Sequence, residues 1–371
     1  MRFIHCSDTH LGYSDYYKID TKTGINQREL DFYDAWNYLI AEILREKPAF
    51  VIHAGDLFHT TRPNNRAIAV ALEGIQKVSD AGIPFVMISG NHSTPKIRAT
   101  GSIFESIALF PNVYAAFQSK YQHFQIGDCS VHCIPHCSLT EQLQDAFESI
   151  KPAKKAKYEI LVSHGSWAGQ QSFSMGEFNE QKLPDPDQIS EFKFDYIALG
   201  HYHKHIRIKP NIIYSGSTER TSFNEAGNST GYVLVDLTKE EITYHEIPSR
   251  HMFKLEPIDC RQQNITQIYD ELIKLSTDEL RDALVSLTLK NIHHQTLIKL
   301  DSREIDKIFG QVFYLNKSIS QLVSEHDSLS KSTELGTVPM EFEKYIENIK
   351  EKELDRERLK ALGLEYLMKD Q

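Results

Sequence analysis

The sequence predicts an α/β protein: a sandwich of two mixed β-sheets flanked by helices, followed by a small α+β capping domain and a C-terminal helical segment. Three observations carry this. Short apolar runs, β-branched and aromatic and too short for helices, alternate with stretches of helical periodicity as far as His203. Beyond His203 the alternation gives way to strands alone. Five of the early runs end in aspartate, asparagine or histidine, at the sheet edge where open α/β sheets bind ligands.

In chain order, Arg2 to Cys6 reads as the first strand and is followed by Asp8 and His10. Leu11 to Tyr17 is an aromatic and polar loop that stays near that edge, because the chain has only just left it. Gln27 to Lys47 reads as a helix, with Tyr33, Trp36, Leu39, Ile40, Ile43 and Leu44 at helical spacing and Pro48 as the stop. The run from Phe50 breaks at Gly55 and presents Asp56. Arg62-Pro63-Asn64 marks a turn, and Asn65 to Asp80 a second helix; a third is expected from Ile103 to Leu109. If their exposed faces are apolar, these two helices are candidates for a self-association surface as well as for core.

Phe85 to Ser89 leads to Gly90-Asn91-His92, Glu159 to Ser163 to His164, and Asp195 to Leu199 to Gly200-His201-Tyr202-His203. Strands Ile206 to Ile208, Ile212 to Tyr214, Gly231 to Asp236 and Glu241 to Glu246 complete a domain over residues 1–248, with Tyr214 to Glu225 a glycine and hydroxyl loop able to line the site. Residues 249–325 read as the α+β domain: strand Phe253 to Asp259, helix Ile265 to Leu275, strand Ala283 to Lys290, helix Ser302 to Phe309, strand Gln311 to Asn316. Residues 326–338 are a serine-rich linker. Residues 339–371 form an amphipathic helical segment, with Phe342, Tyr345, Ile346 and Ile349 in its apolar stripe, suited to docking on a partner.

The 371 residues, 40% hydrophobic, suffice for a sizeable core. No run of signal-peptide form opens the chain and no uncharged apolar stretch is long enough to span a bilayer, so a cytoplasmic protein with no membrane association is expected. Five scattered cysteines suit reduced thiols. His132-Cys133-Ile134-Pro135-His136-Cys137 has zinc-like composition but lacks a second ligand pair at finger-like separation and reads as the end of a strand. The net charge of −10 excludes a generally basic nucleic-acid binder, not a local one; Arg62, Lys96 and Arg98 follow the candidate ligand loops closely and are candidate DNA contacts.

Asp8, His10, Asp56, Asn91, His164, His201 and His203 together offer two carboxylates, one amide oxygen and four imidazoles, a set suited to two divalent cations. Nitrogen and oxygen ligation without thiolate favours manganese or iron over structural zinc. His92, next to Asn91, is placed to act as a general acid.

Asp-x-His, Gly-Asp, Gly-Asn-His, Ser-His-Gly and Gly-His-x-His together resemble the calcineurin-like metallophosphoesterases. Gly55-Asp-Leu-Phe-His-Thr-Thr-Arg-Pro63 and Gly216-Ser-Thr-Glu-Arg-Thr-Ser-Phe-Asn-Glu225 further resemble the SbcD and meiotic recombination nuclease family. The resemblance implies a manganese-dependent DNA exonuclease and endonuclease acting at double-strand breaks. It implies one manganese held by Asp8, His10, Asp56 and His203 and another by Asp56, Asn91, His164 and His201, with His92 as proton donor and His59 supporting the transition state near the scissile phosphate. It also implies a homodimer coupled to an SbcC-type ABC ATPase with a long coiled coil. The alternative from the same site chemistry is a phosphoesterase acting on a non-DNA phosphate ester. One departure stands out: the superfamily pattern reads Gly-Asn-His-Asp, whereas Ser93 follows His92 here, and a serine hydroxyl can orient the imidazole but not raise its basicity.

Overall fold

The structure is a computed structural model, which describes residues 1–95, 101–151, 156–167, 181–184, 193–322, 342, 346 and 358–363. The chain divides into two compact units: Met1–Glu256 with Leu272–Leu287 and Arg303–Lys317, and Pro257–Glu271 with Thr288–Ser302 and Ser318–Gln371.

In the first unit the strands are β1 (Arg2–Cys6), β2 (Phe50–His53), β3 (Phe85–Ile88), β4 (Val113–Ala116), β5 (Gln122–Ile126), β6 (Cys129–Ile134), β7 (Tyr158–His164), β8 (Ser166–Trp167), β9 (Lys182–Leu183), β10 (Tyr196–Gly200), β11 (Ile206–Lys209), β12 (Ile212–Tyr214), β13 (Gly231–Asp236) and β14 (Glu241–Glu246). One six-stranded sheet runs β14-β13-β1-β2-β3-β4, the other β11-β12-β10-β7-β6-β5. Strands β1 to β4 are mutually parallel, as are β6, β7, β10 and β12, so their carboxyl ends share an edge within each sheet.

Strands β1, β2, β3, β7 and β10 are covered on both faces over most of their length, and for that reason they read as continuous apolar runs, whereas β5, β11 and β14 carry exposed residues. Phe3, Phe50, Ile52, Val86 and Ile88 of one sheet meet Val131, Cys133, Ile160, Val162, Tyr196 and Ala198 of the other in the inter-sheet core. On the outer face of the first sheet, Ile4, Cys6, Val51 and Met87 pack under helices α1 (Gln27–Glu46) and α2 (Asn65–Asp80), which supply Trp36, Leu39, Ile40, Ile43, Ala71 and Ile75. After α3 (Phe104–Ile107), helix α4 (Thr140–Glu148) covers the outer face of the second sheet with Leu143, Ala146 and Phe147.

Helices α1 and α2 both start where an asparagine caps them. The Asn26 side chain accepts from the Arg28 and Glu29 amides, and that of Asn64 from Ala67 N. Strands β4 and β5 and helix α4 were not anticipated from the sequence, and the third helix is shorter than the expected Ile103 to Leu109.

The expected strand Phe253 to Asp259 is two short ones, β15 (Met252–Lys254) and β16 (Ile258–Asp259). Pro257 lies in the break, where it has no N–H to give a ladder. In the first unit β15 pairs in parallel with the start of β17 (Leu284–Ile292); in the second, Ile258 pairs with Leu289. Helices α5 (Ile265–Leu275), α6 (His294–Leu297) and α7 (Ser302–Ile308) follow the expected order with α6 added, and β18 runs Tyr314–Gln321, later than the expected Gln311 to Asn316. The linker lies outside the described residues, as does most of the C-terminal segment, Tyr345 and Ile349 included. Of its anchors, Ile346 is buried and Phe342 half-buried. Among the described residues no helix is long and apolar enough to cross a membrane.

Candidate metal centre and catalytic site

Four of the candidate ligands sit in sharp turns beyond their strands, and His164 is the last residue of β7. Asp8, His10, Asp56 and His201 have left-handed φ values of 51°, 42°, 53° and 108°, a region non-glycine residues rarely occupy and which clusters at functional sites. The turns are zipped together: Asp8 N donates to Gly55 O at 3.0 Å, His10 N to Asp56 O at 3.0 Å and Leu11 N to Leu57 O at 2.9 Å. Glycine precedes Asp56 and Asn91 for a steric reason. A Cβ at Gly55 would collide with the His164 ring, and one at Gly90 with the Asp56 carboxylate.

Asp8, His10, Asp56, Asn91, His164 and His201 are all buried, and His203 nearly so. Ligand atoms of Asp8, His10 and His203 lie within 4.8 Å of one another, as do those of Asp8, Asp56 and His164, and those of His10, His59 and His92. Asp8 thus belongs to two of these close groups. Asn91 joins them through Oδ1, 2.9 Å from His164 Nε2 and 3.4 Å from His201 Nδ1.

Two of the imidazoles are oriented from behind. His164 Nδ1 donates to Ala54 O at 2.8 Å, which turns Nε2 toward Asp56 Oδ2 at 3.2 Å. His203 Nδ1 donates to Glu225 Oε1 at 2.9 Å, turning its Nε2 to within 3.0 Å of His10 Nε2. Asp8 is fixed in turn by the His201 amide, 3.0 Å from its Oδ2. His201 Nε2 and Asn91 Nδ2 are buried and make no hydrogen bond among the described residues.

Charge is concentrated here. Burial would raise Asp56, but His164 and neighbouring histidines outweigh it and hold the carboxyl well below its usual range. Burial lowers His164 and His203, yet Asp56 raises the first to about 9 and Glu225 the second to about 9. Burial and His203 push His10 well down, and burial with His164 takes His201 to about 3. Without a cation, then, buried carboxylates draw protons onto two of the imidazoles. A donor set of oxygens and imidazole nitrogens, with Nδ1 of His164 and His203 tied back and Nε2 of His201 unpartnered among the described residues, fits divalent metal ions.

His92 and His59 stand beside this group. Their rings stack at 5.3 Å, and His92 Nδ1 donates to the His59 carbonyl at 2.8 Å. That carbonyl, not Ser93, orients His92, since Ser93 Oγ is buried and makes no hydrogen bond among the described residues. Burial and His92 lower His59 to about 4. Of the candidate DNA contacts, Arg62 is exposed, while Lys96 and Arg98 lie outside the described residues.

Sequence reasoning missed Glu225 as a partner of His203. It also missed the Ser7–Ser215 contact at 2.7 Å beneath Asp8, and Gln181, which donates to the His164 carbonyl at 3.0 Å. The hydroxyl-rich loop ending at Glu225 was the available signal for the first.

The family described as "Calcineurin-like phosphoesterase" matches residues 1–205. The DNA double-strand break repair protein Mre11 of Methanococcus maripaludis is 27% identical over 374 aligned residues, covering 94% of this chain and 96% of that protein. Proteins of the same name from Thermoplasma acidophilum and Methanocaldococcus jannaschii are 28% and 29% identical, covering 84% and 71% of this chain and 81% and 68% of their own lengths.

Proposed function

The chain belongs to the calcineurin-like phosphoesterase family and, within it, to the SbcD and meiotic recombination nuclease group; from that premise we propose that it is a manganese-dependent DNA nuclease that processes double-strand breaks. The observation that carries this is the convergence of Asp8, His10, Asp56, Asn91, His164, His201 and His203 at one buried place.

In this reading Asp8, His10, Asp56 and His203 hold one ion, and Asp56, Asn91, His164 and His201 the other. Two bound divalent cations supply Lewis-acid activation of water and neutralise charge on the phosphodiester. The residues do the rest. Ala54 O and Glu225 fix the tautomers of His164 and His203, so the nitrogens facing the ions carry no proton when metal is bound. His92 has Nδ1 committed to the His59 carbonyl, so Nε2 is the atom that gives a proton to the departing alkoxide. His59, neutral at pH 7, stacks on His92 and borders the phosphate's place. The protein cuts both as an exonuclease and as an endonuclease.

It works as a homodimer in the cytoplasm, with Arg62, Lys96 and Arg98 as DNA contacts. Residues 339–371 dock on the coiled coil of an SbcC-type ABC ATPase; the segments 1–248, 249–325 and 326–338 serve as nuclease body, cap and linker.

The test assays purified protein on linear DNA and on a generic phosphodiester side by side, with and without manganese. Metal-dependent cleavage of DNA well above that of the small ester is expected. Cleavage of the small ester alone would favour the non-DNA phosphoesterase.

A further inference from the structure

The turn from Glu219 to Glu225 is more firmly held than a surface loop needs to be. The buried Arg28 guanidinium of α1 pairs with Glu219 at 3.2 Å and donates to Arg220 O at 2.6 Å. Tyr13 and Tyr16, from the loop after His10, both donate from their hydroxyls to Thr221 O. Thr221 then fixes Glu225 twice, its amide 2.9 Å from Oε2 and its hydroxyl 2.6 Å from Oε1. Among the described residues, every group hydrogen-bonded to the Glu225 carboxylate is a donor or, in His203 Nδ1 at 2.9 Å, a nitrogen that can be one.

That pattern fixes two points of chemistry. A carboxylate, with two acceptor oxygens, satisfies both sides of the contact, whereas glutamine would set its NH₂ against one of the donors. Opposite a carboxylate, His203 Nδ1 must carry hydrogen, which leaves Nε2 as the ligand atom.

Resting on the two-ion reading above, we infer that Glu225 is a positioning residue for metal binding: it locks the tautomer and orientation of His203 and, through Thr221, ties that ligand to the aromatic loop carrying Tyr13 and Tyr16. Its effect on metal binding passes through His203, so the ion that His203 holds should weaken beyond whatever stability is lost with the Thr221 contacts.

Calorimetric titration of the full chain with manganese, with electron paramagnetic resonance to separate coupled pairs from single ions, tests this in wild type, Glu225→Gln, Glu225→Ala and His203→Ala. The expected result is two ions in wild type, with one of them bound about 10 to 100-fold more weakly in Glu225→Ala and less so in Glu225→Gln. The metal-free melting temperature of Glu225→Gln should fall no further than that of Glu225→Ala, and turnover should return toward wild type in both Glu225 variants at saturating manganese. If His203→Ala loses an ion while both Glu225 variants titrate like wild type, the positioning role is overturned and the two-ion reading stands. A wild-type chain that binds no manganese overturns both.

Discussion

The first unit contains two histidine clusters with opposite fates. At the carboxyl edge of the sheets, His10, His164, His201 and His203 face one another with carboxylates. On the outer face of the second sheet, His132 lies in mid-strand with Tyr121, His123, Ser130 and Glu159 around it. By residue type the His132 group also offers imidazoles and a carboxylate, though fewer than the edge group. Its nitrogens, however, are satisfied in a single tautomer: Tyr121 donates to His132 Nδ1 at 2.8 Å, and His132 Nε2 donates to Glu159 at 2.6 Å. At the sheet edge, left-handed turns aim several imidazoles at one point, and His201 Nε2 has no partner among the described residues. Residue type alone therefore does not make a metal centre. What distinguishes the candidate centre is the position at a strand end, where the backbone can turn and, at His164 and His203, the second nitrogen is tied back.

The largest effect should come from removing the carboxylate at the heart of the first cluster. Asp56→Ala is expected to abolish both manganese binding and phosphodiester cleavage, down to background, because Asp56 stands in both proposed ligand sets. The same titration on His132→Gln should give wild-type stoichiometry and affinity. Metal loss from His132→Gln, or two ions bound by Asp56→Ala, would collapse the distinction between the clusters.

Within the first cluster the comparison sharpens at His92. It shares the neighbourhood of His10 and His59, but its Nδ1 is tied to a carbonyl and its proposed role is proton donation. His92→Gln should retain both ions and lose turnover by a factor of about 100 to 10,000. A metal count falling with the rate would make His92 a ligand.

How far each cluster was legible in the sequence follows from the same difference. The edge cluster was readable because each ligand type directly follows an apolar strand, and because Gly55 and Gly90 mark where side chains crowd the backbone. Strands covered on both faces announced themselves by apolar content, as in β1 and β2, and α1 by the helical spacing of its buried residues. The quieter elements did not: β5 alternates half-buried and exposed residues, and α4 buries only Leu143, Ala146 and Phe147 in nine residues. Contacts across long sequence separations were also invisible. Nothing near Glu225 names His203 as its partner, and nothing near Ser93 says that the carbonyl of His59 orients His92.

A smaller effect separates the clusters by stability. His132 is fully buried and its partners are polar, so His132→Gln leaves the Tyr121 hydroxyl or the Glu159 carboxylate imperfectly paired. A loss of about 1–3 kcal/mol in urea unfolding is expected, with nuclease activity within about twofold of wild type. A loss of activity larger than the loss of folded protein would connect this face to the site.

The smallest and most specific difference is in pH dependence. Burial lowers the pKa of His132 from its ordinary 6.5, against the opposing pull of Glu159. A histidine whose folded pKa lies below its unfolded value binds fewer protons folded than unfolded between the two. Its contribution to stability is therefore complete above about pH 6.5 and is lost as pH falls through that value toward the folded pKa. Measured as the difference between wild type and His132→Gln, other titrating groups cancel to the extent that their environments are unchanged. The two stability curves should run parallel above about pH 7 and converge below it, by at most about 1.4 kcal/mol per pH unit, the limit for one proton. Metal-free protein is used for both, so that ligand protonation at the edge cluster contributes equally. Curves that stay parallel down to about pH 5 would mean that His132 titrates alike folded and unfolded, and that its burial imposes no charge state on it. Curves that diverge would mean that Glu159 prevails and the imidazole is held protonated, which would bring this cluster electrostatically closer to His203 and Glu225 than its mid-strand position implies.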